Sequence, residues 1–280
     1  VRFDGSGDRS SVELRIKPLR AGATSIHVEA RAPSGPANSI AVPLACDEES
    51  TFYGFGEQYD AVEHRGEAFE LFVSEQGIGR QPGAGRGLAG DRHTTYFPMP
   101  WFLDARGFGL LSKSPYRTLV DLCHSDPRTA WMEVETGQPL ELVVFHGPKP
   151  LDVTRQLGDE VGRPRVPPAW AFGTWIGAQG GRDAVLARAA KLEASKIPAR
   201  VLWVQDWTGE RRNFDGGYGV QYRWVADEAR YPDLPGMIAG LEARGFRFLA
   251  YANPFVVKGL DHFDAMAAGN MLLKRADGSV

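Results

Sequence analysis

The sequence predicts two structural regions in series, an antiparallel β-sandwich followed by a parallel α/β sheet. In the first half, apolar residues alternate with polar ones, as in "SVELRIKPL" and "TSIHVEARA", and Gly, Pro and Asn/Asp clusters separate the runs. In the second half, strand patterns alternate with helical patterns, which is typical of β-α-β units. A proline-rich stretch, "GRPRVPPAW", separates the two patterns.

This change of period sets the predicted boundaries. Residues 1–148 are predicted to form the sandwich domain, because helical periodicity is absent over that range. Residues 149–168 form the predicted linker, and residues 169–280 form the α/β region. One segment of the first region, Gly77–Thr95, is too rich in Gly and Arg for a strand. Long loops inside compact domains tend to be functional.

The elements of the α/β region follow one another along the sequence. "WAFGTWIG" predicts the first strand, and Val185, Ala189 and Leu192 predict a helix that ends before Pro198. "RVLWVQD" predicts the second strand, and "FRFLAYANPF" predicts the third. Asp233 is the predicted N-cap of the helix between them. Such an order predicts a parallel sheet, either open or closed into a barrel.

Composition excludes several classes of partner. A chain of 280 residues, 43% hydrophobic and with a net charge of −3, is predicted to be soluble and globular, with one large or two medium domains. Its 32 basic residues are scattered among 35 acidic ones, so no basic face for nucleic acid is predicted. No apolar run approaches the ~20 residues of a membrane helix. The residues leave a homo-oligomer possible.

Cysteines and histidines give no metal or disulfide signal. Cys46 and Cys123 are far apart in sequence and outside any C-x-x-C pattern, so we expect buried free thiols. The histidines show no H-x-x-x-H or H-E-x-x-H spacing, so no metal is predicted. No G-x-S-x-G or Walker motif is present, and no cofactor is expected. The first and last residues suggest a piece of a longer protein, and the cell compartment stays open.

An amide, a carboxylate and an indole follow the predicted second strand. Gln205, Asp206 and Trp207 therefore occupy the carboxyl end of a parallel strand, where α/β folds bind ligands. Carboxylate and amide groups accept hydrogen bonds from vicinal hydroxyls, and an indole covers the apolar face of a sugar ring. The alternative is that Asp206 caps a turn and Trp207 fills the end of a barrel. Nearby Trp203 is assigned to the core.

Several motifs together resemble glycoside hydrolase family 31. "FYGFGEQYDAVEHRG", "SEQGIGR" and "YFPMPWFLDARGFGLL" are similar to the N-terminal β domain of that family. "PPAWAFGTW", "GAQGG" and "VLWVQDWTGERR" resemble the first strands of its (β/α)8 TIM barrel. The similarity runs from about Phe52 to the C-terminus and is strongest with the sulfoquinovosidase branch. It implies an N-terminal β-sandwich followed by the first part of a truncated barrel.

The resemblance implies an exo-acting, retaining α-glycosidase that works through two aspartates. Retention places the nucleophile and the general acid/base ~5 Å apart. Both aspartates are expected beyond residue 280, so this fragment alone is expected to be inactive, and no cofactor is implied. Two alternatives stay open: a non-catalytic carbohydrate-binding protein on the same scaffold, and an α-transglycosylase.

Sugar-binding residues are also implied by the resemblance. Gln205 and Asp206 match positions that face the bound sugar in this branch. Glu75 matches a loop that reaches from the β domain over the pocket, and Gln76 and Arg80 are expected to support that loop. A salt bridge that orders the loop is the alternative role for Arg80.

One departure from the branch bears on the substrate. Sulfoquinovosidases hold the sulfonate with an Arg and a Trp three residues apart, and this chain has Gly217 and Val220 at the matching positions. A sulfonate needs charge-assisted donors, which neither residue provides. Arg211, Arg212 or Arg223 could supply the charge from other positions, and Arg211 is kept as a candidate. An uncharged α-glucoside or α-galactoside is therefore predicted over a sulfoquinovoside.

Overall fold

The structure is a computed structural model that describes residues 2–4, 10–32, 35–75, 90–212 and 216–280. The chain divides into two compact units, Val1–Pro164 and Arg165–Val280. No helix of the described residues is both long enough and apolar enough to cross a membrane.

The first unit is built mainly of antiparallel strands. The strands within its described residues are β1 Arg2–Asp4, β2 Ser11–Arg20, β3 Ala23–Ala32, β4 Gly35–Pro36, β5 Ile40–Ala45, β6 Tyr53–Gly56, β7 Ala68–Leu71, β8 Pro98–Asp104, β9 Phe108–Ser112, β10 Thr118–Asp126, β11 Thr129–Val134 and β12 Leu140–His146. The larger sheet has the order β1-β2-β3-β12-β9-β8-β6, with β4 beside β3, and the smaller sheet has the order β5-β11-β10-β7.

One apolar core lies between these two sheets. Phe102 and Leu110 of the larger sheet belong to the same buried cluster as Val120 and Met132 of the smaller sheet. Burial in β11 alternates residue by residue, because successive side chains of a strand point to opposite faces. The predicted antiparallel β-sheet structure of the first region is therefore confirmed.

A helix lies where the sequence predicted a linker. Helix α1, Pro150–Val161, falls inside the predicted linker 149–168 and packs on the outer face of the larger sheet. Its buried residues Val153 and Leu157 contact the cluster that includes Phe145 of β12. The two prolines near its start hid this helix in the sequence, although a proline in the first helical turn is well tolerated. The described structure differs from the predicted linker here.

The expectation of free thiols was wrong. Cys46, just after β5, and Cys123, in β10, form a disulfide across a sequence separation of 77 residues. Strand β11 pairs with both β5 and β10, which brings the two cysteines to a Cα–Cα distance of 6.3 Å. Sequence distance could not show this proximity. A disulfide of this kind typically contributes about 2–4 kcal/mol, largely by restricting the unfolded chain.

The second unit holds a parallel sheet with helices on one face. Its elements are β13 Thr174–Gly177, α2 Arg182–Ala194, β14 Ala199–Val204, β15 Glu210–Arg212, β16 Tyr218–Val220, α3 Leu234–Ala243, β17 Arg247–Ala250 and α4 Asp261–Ala268, with 3-10 turns at Ala169–Phe172 and Asp206–Thr208. Strands β13, β14 and β17 are parallel neighbours in that order, and β15 pairs with β16 as a hairpin.

The predicted helices of this unit are confirmed. Val185, Ala189 and Leu192 are the buried residues of α2, as their spacing predicted. The Asp233 side chain caps α3 by accepting a hydrogen bond of 3.1 Å from the Gly236 N–H. The buried residues of these helices form one apolar cluster with Leu202 and Val204 of β14. This packing holds the carboxyl end of β14 in place against the helices.

Candidate functional site

The carboxyl ends of β13 and β14 form the polar edge of the second unit. Ile176 and Leu202 pack toward the helices, so strand alternation places Trp175 and Trp203 on the opposite face of the sheet. Trp175 is 49% exposed and Trp203 is 38% exposed. Trp203, which the sequence analysis assigned to the core, is thus partly exposed in the described residues. Within the described residues, helices pack against one face of this sheet, and the face that carries Trp175 and Trp203 is left open.

Two amides meet at this edge. Gln179 follows β13 and Gln205 follows β14, and the Gln179 Nε2 donates to the Gln205 Oε1 at 2.6 Å. The two chain segments are neighbours because β13 and β14 pair in parallel. Gln179 is exposed and Gln205 is half-buried, so both reach solvent. Paired amides offer donors and acceptors to a hydroxyl-bearing ligand.

Two indoles line an open hollow beside the ends of β14 and β17. The lining residues are Trp207, Trp224, Ala252, Asn253 and Pro254. The Trp207 Nε1 donates to the Tyr251 carbonyl at 2.7 Å, and the Trp224 Nε1 donates to the Asn253 carbonyl at 2.8 Å. These hydrogen bonds fix the planes of both rings. Trp224 stays 45% exposed, so part of an indole surface is available to a ligand.

Asp206 follows β14 but is buried beneath the surface of this edge. Its side chain is 0% exposed and both carboxylate oxygens have donors. The Gly180 N–H and the Arg230 Nη2 each donate to its Oδ2 at 2.9 Å, and the Tyr231 hydroxyl donates to its Oδ1. The carboxylate thus ties the loop before α2 to the segment before α3. The sugar contact that the sequence led us to expect of Asp206 stays a prediction, and in this chain its carboxylate is bonded to protein donors.

The end of β14 determines where Asp206 lies. Leu202 and Val204 pack toward the helices, the strand ends at Val204, and Asp206 begins the 3-10 turn Asp206–Thr208. This turn directs the Asp206 carboxylate to the Gly180 N–H, Arg230 and Tyr231. Gln205, the residue before the turn, is half-buried and bonded to Gln179 instead.

Burial shapes the electrostatics of this cluster. Burial and the neighbouring Asp206 raise the pKa of the Tyr231 hydroxyl above its ordinary value, so the hydroxyl stays protonated and donates. Burial opposes the charge of Arg230, but its hydrogen bond to Asp206 and the nearby negative charges of Asp206 and Glu210 together raise the pKa of the guanidinium. Arg230 also lies 3.2 Å from Glu210. Asp206 therefore has donors on both oxygens, while the Arg230 Nε is buried without a partner.

The arginines near this edge donate hydrogen bonds to nearby backbone carbonyls. Arg211 is exposed on β15, and its Nε donates to the Val220 carbonyl across the hairpin at 3.4 Å. The Arg212 Nη1 donates to the Gly216 carbonyl at 3.2 Å, and the Arg223 Nε donates to the Thr208 carbonyl at 3.0 Å. Val220 is buried at the end of β16. The Arg211 prediction of ligand contact stays a prediction.

The remaining predicted residues belong to the first unit. Glu75 is exposed, and its carbonyl accepts a hydrogen bond of 3.1 Å from the Gly90 N–H. Gln76 and Arg80 lie outside the residues that the structure describes. The sequence reasoning missed Gln179 as a site residue, although its motif "GAQGG" carried part of the family resemblance.

Comparison with known proteins supports that resemblance. Residues 164–280 match the model of the glycosyl hydrolases family 31 TIM-barrel domain. The chain is 28% identical over 261 residues to a sulfoquinovosidase of Escherichia coli (strain K12), covering 86% of this chain and 36% of that protein. It is 25% identical over 260 residues to alpha-glucosidase 2 of Bacillus thermoamyloliquefaciens, and this match covers 89% of this chain and 31% of that protein. The chain thus spans about a third of the length of these relatives.

A solved structure gives the same result for the fold. A family 31 sulfoquinovosidase from E. rectale, in complex with the aza-sugar inhibitor IFGSQ, superposes with a TM-score of 0.82 at 25% identity. The match covers 98% of this chain and 42% of that chain. The family model over residues 164–280 and these relatives thus confirm the resemblance to glycosyl hydrolase family 31 that the motifs indicated.

Proposed function

We propose that this chain is the N-terminal part of a retaining exo-α-glycosidase. In this proposal β13, β14 and β17 are the first strands of a (β/α)8 barrel, and the nucleophile and the acid/base lie beyond residue 280. The chain alone would then bind sugar without cleaving it. The observation that supports this best is the Gln179–Gln205 amide pair at the strand ends, beside exposed indoles, in a family 31 barrel segment.

The residues take distinct roles in this proposal. Gln179 and Gln205 hydrogen-bond the hydroxyls of the terminal sugar, and Trp224 and Trp207 cover its apolar face. Asp206 acts through its neighbours, by holding the loop that carries Gln179. The Glu75 contact stays a proposal from the resemblance, as do the supporting roles of Gln76 and Arg80.

For the substrate we propose an uncharged α-glycoside. Gly217 and Val220 offer no charge-assisted donor, and the Nε of Arg211 is bonded to the hairpin backbone. A second candidate is a sulfoquinovoside, which the E. coli and E. rectale relatives favour by their names. In that case an arginine of the β15–β16 hairpin would have to supply the positive charge.

Assays on the intact protein test these proposals. Aryl α-glucoside, α-galactoside and α-sulfoquinovoside are compared in parallel, with and without an acceptor sugar. Hydrolysis of a neutral substrate supports the proposal, and preference for the sulfonated one overturns the substrate assignment. Transfer of the sugar to the acceptor indicates a transglycosylase. Sugar binding without turnover of any α-glycoside indicates the non-catalytic alternative.

The Gln205→Ala variant tests the site itself. We expect kcat/KM to fall about tenfold, because one hydrogen bond to substrate is worth about 1.4 kcal/mol. Gln138→Ala is a matched control, because Gln138 is an exposed glutamine of the first unit. Equal kinetics for Gln205→Ala and the control would remove Gln205 from the site.

A further inference from the structure

The first unit contains a cluster of potential metal ligands. One ligand atom from each of Asp60, His64 and His93 lies within 4.8 Å of the others. His64 is 1% exposed and His93 is 6% exposed. Buried histidines normally have partners for both ring nitrogens, yet the His64 Nδ1 and the His93 Nε2 are buried without a hydrogen bond. His93 is far from His64 in sequence, so motif spacing could not reveal this cluster.

Packing fixes the positions of both rings. The His93 ring stacks on Phe69 with a centroid distance of 4.3 Å and an interplanar angle of 11°. His64 meets Phe55 and Phe69 edge-on at 5.6 and 5.7 Å. The His64 N–H also donates to the Phe52 carbonyl at 3.1 Å. Both imidazoles are therefore held in place by the sandwich core, whereas Asp60 is an exposed residue at the edge of the cluster.

Hydrogen bonding sets the tautomer of His93. Its Nδ1 lies 3.2 Å from the Oε1 of Gln58, and the Nε2 of Gln58 faces the Phe55 carbonyl at 3.5 Å. Because Oε1 is an acceptor, Nδ1 carries the proton and Nε2 presents its lone pair. An outer partner of this kind is typical of histidines that bind metals.

That lone pair faces other acceptors. The His93 Nε2 lies 3.8 Å from the Asp60 Oδ2 and 3.7 Å from the Glu67 Oε2. The His93 Nε2, the Asp60 Oδ2 and the Glu67 Oε2 thus lie close together. A bound cation would stabilise this arrangement.

Arg92 only partly neutralises this group. It forms an ion pair with Glu67, and its Nη1 lies 3.6 Å from the Asp60 Oδ2. One arginine against two carboxylates leaves one negative charge without compensation. The arginine does not reach the His93 Nε2 or the His64 Nδ1 with a hydrogen bond, because both nitrogens are unpartnered.

We propose that Asp60, His64 and His93 bind a divalent transition-metal ion of the zinc type, with Glu67 or water as a fourth ligand. Two imidazoles and a carboxylate suit tetrahedral zinc, whereas calcium and magnesium require oxygen ligands. The ion would be structural. The segment after His93 pairs with the one that carries Glu75, since the Ser74 N–H donates to the Thr95 carbonyl at 3.1 Å. The metal would therefore fix the base of the Glu75 segment.

Metal titration of the intact protein tests this proposal. The protein is stripped with a chelator and titrated with Zn²⁺ by calorimetry and with Co²⁺ by visible absorption. We expect one ion per chain and tetrahedral Co²⁺ bands. His64→Ala and His93→Ala should abolish both signals, and Gln58→Ala should weaken affinity about tenfold, as loss of an outer-shell partner does. His262→Ala, at an exposed histidine of the second unit, is the control and should bind as the unchanged protein does.

A further variant keeps the test decisive if a histidine variant fails to fold. Asp60→Asn preserves shape and should still lose the Co²⁺ bands. Histidines must be neutral to bind a metal, so the titration covers about pH 6 to 8. Absence of Zn²⁺ binding over that range would overturn the proposal and would mean that the cluster holds a proton rather than a metal ion. Equal binding by His93→Ala, Asp60→Asn and the control would overturn it as well, because the ion would then lie elsewhere.

Discussion

Two buried polar clusters, one in each unit, differ in how completely their atoms are satisfied. Around Asp206 in the second unit, both carboxylate oxygens accept hydrogen bonds from neighbouring donors. In the first unit, the cluster of Asp60, His64 and His93 leaves two buried ring nitrogens without partners. Both clusters join segments that are distant in sequence, and both lie in well-packed surroundings.

The difference separates two uses of buried polar groups. A network whose acceptor has donors on both oxygens holds backbone segments in place, which is the situation of Asp206, although the Arg230 Nε of that network is buried without a partner. An unsatisfied one costs free energy unless something absent from the chain completes it. We therefore assign Asp206 to positioning the strand-end loops and the histidine cluster to binding an ion. Substitutions in each cluster test this distinction, from the largest expected effect to the smallest.

Asp206→Ala should cause the largest loss. It removes the shared acceptor of Gly180, Arg230 and Tyr231, and breaking a buried pair from one side costs about 3 kcal/mol or more. Urea unfolding curves of the variant and the unchanged protein measure this loss as a difference in the free energy of unfolding. Asp277→Ala, at an exposed aspartate, is the control and should stay within about 0.5 kcal/mol of the unchanged protein. Equal stability of the two variants would show that the Asp206 network is not structural.

Tyr231→Phe should cause a smaller loss in the same network. The hydroxyl donates to Asp206 and accepts from the Gly181 N–H at 3.2 Å, so its removal leaves two buried groups with fewer partners. We expect a cost of about 1–3 kcal/mol in the same unfolding experiment. A double variant with Asp206→Ala should show less than the sum of the two losses, because the residues share one interaction. Strict additivity would contradict a shared network.

His93→Leu should behave differently when metal is absent. The substitution removes the unpartnered Nε2 and keeps an apolar group against Phe69, but it also removes the hydrogen bond from Nδ1 to the Gln58 Oε1. The free energy of unfolding in chelator should therefore fall by no more than about 1.5 kcal/mol, well short of the loss expected for Asp206→Ala. With Zn²⁺ present, the unchanged protein should gain stability and the variant should not. A loss in chelator as large as that of Asp206→Ala would mean that the histidine cluster is already satisfied.

Gln179→Ala should have the smallest effect on stability. Gln179 is exposed, so unfolding free energy should change by no more than about 0.5 kcal/mol. In the intact protein, kcat/KM for the preferred α-glycoside should nevertheless fall about tenfold, through loss of one hydrogen bond to substrate. Unfolding curves and steady-state kinetics on the same preparation check both parts. Lost stability with unchanged kinetics would reverse the assigned roles of Gln179 and Asp206.

Local periodicity predicted much of the fold. The alternation of the first region indicated antiparallel strands, and the stripe of Val185, Ala189 and Leu192 indicated α2. Asp233 was recognisable as a cap because a carboxylate before an apolar helix satisfies a free N–H. These features depend on residues close in sequence, which is why the sequence sufficed.

Features that depend on distant residues were not predictable. The disulfide of Cys46 and Cys123 requires the β5-β11-β10 order, and the histidine cluster requires the packing of two loops. Helix α1 was missed because prolines were read as a linker signal. Asp206 was placed with Gln205 because both match positions of the family motif, and the burial of its carboxylate depends on Arg230 and Tyr231, which are distant in sequence.

A structure of the intact protein with a hydrolysis-resistant α-glycoside tests the central claim most directly. We predict a sugar hydroxyl within hydrogen-bond distance of the Gln179 or Gln205 amide, with Asp206 still bonded to Gly180, Arg230 and Tyr231. A sugar hydroxyl bound to the Asp206 carboxylate, or a sugar bound away from both amides, would contradict the assignment of Asp206 to positioning and of the amide pair to recognition.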